Sequence, residues 1–447
     1  MREPSSYRDP DGYITRIGGD VCRVVLNDNA PMVLPAYKKF FGTCVKEGLL
    51  VPFEKTPAQG NVYKLEKLPF ISYPYEWGFE QLKEGALVTL DIGIKALDHG
   101  LSLKDATAFN LQPFNGKMVF IDHTSFESTD GKLPWRAYSQ FCRHFLAPLL
   151  ITSKTGANAN RQFLVDLNGI FLSDAVRMLP FSTRFSPSAF THIYLHNFLT
   201  NSLQDTGKEQ KANPARTGNQ KIYLQHLRKV IDNIKPPKYG TEWHDYYNNT
   251  NYNGASFHEK EKFICDVTTA KRYHCVWDAG GNNGHFSRIM GKNADLVVSM
   301  DVDYAAIDLN WIKNREMKAA NIYPIVMDLT NPSPAVGFGN AERGTIDDRS
   351  KPDLIFALAL IHHLAVTYNL PFAVMAERFK QSGAELVIEF VDRGDSQFKK
   401  LLRSKDIDYS HYTKENFETA FGECFTLLRK SLIEGTERTL YHYAPKK

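Results

Sequence analysis

The sequence lacks an apolar stretch near its start. Arg2, Glu3 and Asp9 fall where a secretory signal would need a hydrophobic run, so no signal peptide is expected. It also lacks the roughly 18 uninterrupted apolar residues that span a bilayer, the stretch 145–152 being the most apolar candidate. Both absences point to a cytoplasmic protein with no integral membrane anchor. Cysteine is sparse: six residues in 447, with no CxxC pair, argue against a disulfide framework or a zinc site, and no metal is expected. Charge of one sign is scarce too. The 54 Lys and Arg against 50 Asp and Glu leave a net +4, no five like charges run together, and nothing points to nucleic acid as a partner. No internal repeat and no GxGxxG phosphate loop occur.

What is present is ordinary globular composition, 43% hydrophobic and 23% charged, in a chain too long for one core, because single cores stop growing near ~250–300 residues. Two domains are expected. The polar run QDTGKEQKANPARTGNQ, 204–220, reads as a flexible connector. After it, KIYLQHLRKVIDNI carries Ile222, Leu224, Leu227, Val230 and Ile231 at helical spacing until Pro236-Pro237 stops it. The division is therefore 1–203, a linker with connecting helix at 204–237, and a compact domain at 238–447.

In that last domain HCVWDAG, LVVSMD, IYPIVMD, DLIFALAL and ELVIEF are short apolar runs with room for helices between them. Such alternation predicts an α/β fold with a parallel sheet buried on both faces. FTLLRKSLI and TERTLYHYA, separated by a tight turn, predict a terminal antiparallel hairpin. The stretch 336–352, VGFGNAERGTIDDRSKP, replaces most of one expected helix and reads as a surface loop.

The first of these strands turns into a helix through Asp278-Ala-Gly280-Gly281-Asn282-Asn283-Gly284. Glycines remove the Cβ atoms that block close approach to a ligand, and the helix start beyond offers N–H groups to an anion. A dinucleotide site or a plain tight turn would look similar. Asp301 ends the second strand 23 residues after Asp278, where an acid accepts ribose hydroxyls, in a nicotinamide enzyme as well as elsewhere. Asp328 ends the third strand, as a ligand to an adenine amino group or as a helix cap before Thr330. Three aspartates at one sheet edge is the stronger signal, since ligands of open parallel sheets bind at the carboxyl ends.

From Trp243 onward this order of motifs resembles class I, Rossmann-like S-adenosylmethionine-dependent methyltransferases, whose seven-stranded sheet has an antiparallel last strand. The resemblance implies S-adenosyl-L-methionine as cofactor, with Asp278, Gly280, Gly281, Gly284, Asp301 and Asp328 around it. Where that family has its middle glycine this chain has Asn282, the non-glycine residue that best tolerates left-handed backbone. His362 and His363 fill the motif after the fourth strand, beside the methyl group. They would serve as general base, or merely pack and cap the next helix. Glu389, Asp392 and Arg393 are candidates for acceptor binding or a solvated strand end, and Trp243, Tyr246, Tyr247 and Tyr252 resemble a lid or a hydrophobic anchor, with Tyr246 against the cofactor.

Upstream, Asp105-x-x-x-x-Asn110, a turn at Asn115-Gly116 and the strand MVFI leading to Asp122 follow the layout of a kinase catalytic loop. In kinases and aminoglycoside phosphotransferases, which this stretch resembles, the first Asp orients the acceptor hydroxyl and the other two residues hold magnesium. No Gly-rich loop or Val-Ala-x-Lys strand precedes it, only Lys64 and Lys67, so an α+β, degenerate and non-phosphorylating kinase-like domain is expected. As a whole, YRDPDGYI, PFISYPYEW, LKDATAFN, IDHTSFE and WRAYSQFCRHFLAPLL resemble a family of bacterial methyltransferases, nodulation-related or uncharacterised, over nearly the full chain. Methyl transfer to an oxygen or nitrogen of a small molecule, saccharide or lipid-linked intermediate is the expected activity. A binding or scaffold protein with two degenerate domains, and a bifunctional kinase and methyltransferase, are the alternatives.

Overall fold

The computed structural model describes residues 2–58, 60–205, 219–238, 254–403 and 408–447. Nearly all of the expected connector, and the segment with Trp243, Tyr246, Tyr247 and Tyr252, lie outside the described residues. The chain divides into two units, Met1–Tyr239 with Ala335–Gly344, and Gly240–Pro334 with Thr345–Lys447. Among the described residues no helix is long and apolar enough to cross a membrane.

The first unit opens with a hairpin, β1 (Gly12–Ile17) and β2 (Asp20–Val25), closed by Gly18-Gly19 at positive φ. With β3 (Phe53–Lys55) and β4 (Val62–Leu65) it forms an antiparallel sheet ordered β1-β2-β4-β3, and the helix Lys38–Lys46 lies between β2 and β3 in the chain. The helix Phe79–Leu97 buries Leu82, Ala86, Leu90 and Gly93 at helical spacing. The helix Gln220–Asn233 buries Leu224, Leu227 and Ile231 and ties Arg228 to Asp91 on that earlier helix. The expected connecting helix is packed into this unit, because its apolar seam finds a partner; Ile222 points outward. Two short antiparallel pairs follow, β5 (Leu101–Leu103) with β8 (Phe126–Ser128) and β6 (Leu111–Phe114) with β7 (Lys117–Phe120). They frame the loops that carry Asp105, Asn110 and Asp122.

The stretch expected to be a surface loop is partly built into this unit. Arg8 forks onto Glu342 at 2.9–3.1 Å, the Gly344 N–H donates to the Tyr73 hydroxyl at 3.0 Å, and the Arg343 guanidinium lies 4.8 Å from the Phe109 ring centre. Its charged residues find fixed partners, which a loop held only by solvent would not.

The second unit is one seven-stranded sheet: β9 (Tyr273–Ala279), β10 (Ala294–Asp301), β11 (Ile322–Val326), β12 (Leu354–Ala357), β13 (Glu385–Val391), β14 (Phe425–Ile433) and β15 (Arg438–Pro445), ordered β11-β10-β9-β12-β13-β15-β14. Neighbours pair in parallel from β11 to β13, while β15 is antiparallel to both its neighbours. The inner strands are mostly apolar because helices cover both faces; Phe263, Ile264 and Val267 of the helix Gly254–Ala270 pack on Val276, Phe356 and Val387. The chain winds outward from β9 to β11, then returns to the other side of β9 as β12, so the crevice at the carboxyl ends of β9 and β12 is the switch point where such sheets take ligands.

A buried ion chain joins the helix Gly254–Ala270 to β13 and β15. Lys260 Nζ meets Glu389 Oε2 at 2.6 Å, and Arg438 meets Asp395 Oδ2 at 2.9 Å and Glu389 Oε1 at 3.4 Å, with none of the four side chains more than 3% exposed. Removing one member of a buried pair strands its partner and costs about 3–5 kcal/mol, whereas removing both with apolar replacements is often neutral. Lys260→Met is therefore expected to lose about that much stability in urea denaturation. Lys260→Met with Glu389→Leu should regain most of it, since Arg438 keeps Asp395. A double variant no more stable than the single one contradicts this account.

Candidate switch-point site

The turn after β9 takes the left-handed conformation at Gly280 (φ 81°), Asn282 (φ 47°) and Gly284 (φ 75°). A Cβ on Gly281 would stand 2.3 Å from Ser299 Oγ, and one on Gly284 would stand 2.0 Å from Asn310 Oδ1. The glycines here admit buried polar side chains from below. Asn310 Nδ2 donates to Ser299 Oγ at 2.9 Å, Ser299 Oγ lies 2.8 Å from Ser287 Oγ, and the Ser287 hydroxyl donates to Asp278. Arg288 closes the ladder on the Asn283 carbonyl at 3.0 Å. Sequence reading missed Ser287, Ser299, Asn310 and Arg288; a run of polar residues on otherwise apolar core faces was their signal.

The helix start expected to offer N–H groups begins at His285, and the N–H groups of the turn before it are spent within the protein. Those of Gly280 and Gly281 donate to the Met300 carbonyl, that of Asn282 to Asp301 Oδ2 (2.9 Å), that of Asn283 to Asn282 Oδ1 (2.7 Å) and that of Gly284 to the Gly281 carbonyl. Its contribution is shape. Asp278 is buried beneath it, and burial lifts its carboxyl to about 6 against the pull of Ser287 and Lys260.

Asp301 ends β10 partly exposed, each oxygen accepting one backbone N–H, from Asn282 and from Asp303 at 2.9 Å. Protein surrounds the rest of the carboxyl and lifts it to about 6 as well. Asp303, unnoticed in the sequence, caps the helix Tyr304–Glu316 through Oδ1, while among the described residues its buried Oδ2 has no hydrogen-bond partner and the buried Asn283 Oδ1 has none either. Asp328 lies two residues beyond β11, half-buried, and accepts from the N–H (2.9 Å) and hydroxyl (2.7 Å) of Thr330, both on Oδ1. No helix begins there, so this is a local turn and not a helix cap.

After β12 the chain passes through Ala359 at φ 49°, a conformation uncommon for alanine, and enters the helix Ile361–Thr367. His362 and His363 stand at its start with ring centres 4.1 Å apart. Burial, with His363, Arg438 and Lys260 nearby, drives the His362 pKa well below the ordinary histidine value, and burial with Arg438 brings His363 to about 4. Both rings are neutral near pH 7. His362 Nδ1 is buried and has no hydrogen-bond partner among the described residues. Glu389 is fully buried in its ion chain and is neither a rim ligand nor a solvated strand end, because Lys260 and Arg438 compensate its charge in the interior; Asp392 is half-buried and Arg393 exposed.

In the first unit Asp105, Asn110 and Asp122 converge. Asn110 bonds Asp105 and donates to Ser125 Oγ (3.0 Å), and Ser125 donates to Asp122 (2.5 Å). The cation facing Asp122 is Arg23 of β2, at 2.7 Å, not Lys64 or Lys67; Lys64 pairs with Asp20 and Lys67 is exposed. Burial alone would raise Asp122, yet Arg23 and the hydroxyls of Ser125 and Thr124 bring it to about 2; burial and then Asp122 raise Asp105. Among the described residues no group of three His, Cys, Asp or Glu is arranged to hold a metal ion.

The sheet order, with its single antiparallel strand, is that of a class I, Rossmann-like methyltransferase fold. No family model matches the chain. Nodulation protein NoeA of Rhizobium meliloti strain 1021 is 30% identical over 459 residues, spanning 99% of this chain and 96% of that protein, and the chain belongs to the NoeA family. Among solved structures, N-methyltransferase NodS from Bradyrhizobium japonicum WM9 with S-adenosyl-L-homocysteine aligns at 14% identity and TM-score 0.34 over 44% of this chain and 90% of that one. Magnesium protoporphyrin IX methyltransferase ChlM from Synechocystis PCC 6803 with bound SAM aligns at 15% and 0.32 over 46% and 89%.

An unpartnered buried nitrogen costs about 1–3 kcal/mol. His362→Leu, of similar volume, is therefore expected to leave stability unchanged or raise it by about 1 kcal/mol in urea denaturation. A loss of more than about 2 kcal/mol would make the ring a structural element of the core.

Proposed function

We propose that the second unit binds S-adenosyl-L-methionine in the switch-point crevice and transfers its methyl group to an oxygen or nitrogen of a small molecule, saccharide or lipid-linked acceptor. The observation that carries this reading is the pair Asp278 and Asp301: two carboxyls at the ends of adjacent strands, both lifted by burial to about 6, with no ion pair at either among the described residues. Each Asp301 oxygen has spent one lone pair on a backbone N–H and keeps another for a ribose hydroxyl. Asp303 Oδ2 is an orphaned acceptor two residues on, and Asp328 keeps Oδ2 for an adenine amino group. Asp278, being under the turn, acts on the ammonium of the cofactor through its field or a water. Gly280, Gly281 and Gly284 let the backbone come close.

The bound cofactor supplies a methyl group already activated on a sulfonium, so alignment of the acceptor contributes most of the rate. His362 and His363 are neutral at physiological pH, the form in which an imidazole takes the proton of a hydroxyl or ammonium acceptor, and the burial that keeps them neutral also weakens them as bases.

Calorimetry with S-adenosylmethionine tests the reading: binding is expected for the native chain, and Asp301→Ala should weaken it by at least about tenfold. Absence of heat at high micromolar cofactor, or an unaffected variant, removes it. The pH dependence has a definite sign. In the free protein these raised carboxyls favour the protonated form, so their contribution to stability falls as pH rises from about 4 through about 6. A bound ammonium and ribose diol favour the ionised form, so affinity should increase across that interval and level off above it, with protons released on binding below about pH 7. Titrations in two buffers of different ionisation enthalpy measure that release.

For the first unit we propose a kinase-like frame that does not transfer phosphate. Arg23 supports this, since its guanidinium holds Asp122 where a magnesium ion would otherwise be bound. ATP with magnesium is expected to give no thermal shift in the full chain. Magnesium-dependent ATP binding that Asp122→Ala abolishes would overturn the assignment and favour a bifunctional enzyme.

A further inference from the structure

Between 165 and 199 the first unit turns large apolar side chains outward. Phe181 and Phe185, 67% and 78% exposed, stand on the short 3-10 helix Phe181–Phe185 that Pro180 precedes and Ser186-Pro187 follows, with ring centres 5.8 Å apart. Phe171 and Met178 are exposed at the two ends of the helix Leu172–Met178, seven residues apart and so on one face; Phe190 and Leu199 extend the exposed set. The inward positions of the same segment are already filled by Leu172, Ala175, Leu179, Ala189 and Ile193. The outward set is surplus to the core, and exposed apolar groups so concentrated mark an interaction surface.

Cations punctuate it. Arg161, Arg177 and Arg184 are exposed, and the Arg184 guanidinium lies 4.9 Å from the Phe181 ring centre and 5.6 Å from that of Tyr194. Asp174 is the one exposed acid between 161 and 200, and it is paired with Arg177. Exposed charge on this segment is therefore positive in balance, with Arg161 and Arg184 left over once Asp174 is paired, which selects an anionic partner. Phenylalanine and leucine interleaved with arginine is also the pattern of segments that lie in the headgroup region of an anionic bilayer, apolar tips down and guanidinium groups at the phosphates.

We propose that this face docks the protein on an anionic lipid surface, with Phe181 and Phe185 as the inserting tips and Arg184 as the headgroup contact. This is independent of the methyltransferase reading and places no segment across the membrane.

The test is co-sedimentation of the full chain with phosphatidylcholine vesicles with and without phosphatidylglycerol. Binding is expected only to the vesicles containing phosphatidylglycerol. The double variant Phe181→Ser/Phe185→Ser should bind at least about tenfold more weakly, and Arg184→Glu should lose the preference for anionic lipid. Both side chains point outward, so circular dichroism and urea midpoints should remain native and keep a loss of binding interpretable. The proposal falls if the native chain ignores anionic vesicles or if the double variant binds them as well as the native chain. It falls equally if ultracentrifugation without lipid finds a dimer that these same substitutions dissociate, which would make the face a contact between copies.

Discussion

Carboxylates held out of water govern the second unit. Taking an ionised carboxyl into a protein interior costs several kcal/mol unless hydrogen bonds or a counter-charge offset it. Glu389 and Asp395 meet that condition with Lys260 and Arg438. Asp278 has one hydroxyl and a more distant lysine, and Asp301 has two backbone N–H groups. The fully compensated pair holds the helix Gly254–Ala270 against β13 and β15. The under-compensated pair lies at the ends of β9 and β10, where the sheet opens.

The two units treat a strand-end aspartate in opposite ways. In the first, Asp122 receives a guanidinium, two hydroxyls and an N–H, and its carboxyl is held near 2. Such a group is satisfied within its own fold. In the second, two carboxyls rest near 6, and among the described residues no donor reaches the acceptors Asp303 Oδ2 and Asn283 Oδ1. Groups in that condition gain free energy from any ligand that brings a cation or hydroxyls to them. By the same reasoning a core that needed only volume at position 362 would be better served by an aliphatic side chain than by a histidine whose Nδ1 has no partner among the described residues.

The seven strands were legible because each is an apolar run bounded by turn residues, and the hairpin because its turn leaves no room for a crossover. Asp278, Asp301 and Asp328 were legible because they end consecutive strands. Long-range pairing was not. Lys260 and Arg438 lie 129 and 49 residues from Glu389, and nothing local in the sequence says that an acid ending ELVIEF is neutralised by them. Arg23 was missed for a similar reason: reading for a lysine strand directed attention to Lys64 and Lys67, while the cation that reaches Asp122 stands on β2 in DVCRVV. The stretch 336–352 looked loop-like because its composition is polar, yet Glu342 and Arg343 have partners at Arg8 and Phe109, far away in the chain.

Asn282 is the one departure from the glycine pattern, and its geometry explains why it is tolerated. Its φ of 47° lies in the left-handed region that asparagine enters most readily after glycine. The side chain then does what glycine cannot: Oδ1 accepts the N–H of Asn283, which the tight turn would otherwise leave unpaired. The backbone N–H of Asn282 meanwhile donates to Asp301. One residue thus joins the glycine turn to the neighbouring strand end, so that the position of the Asp301 carboxylate depends on the conformation of the turn. A glycine would preserve the second link and lose the first. The substitution is better understood as a stiffening of the turn than as its decay, which is the outcome expected when a left-handed position must also hold a partner in place.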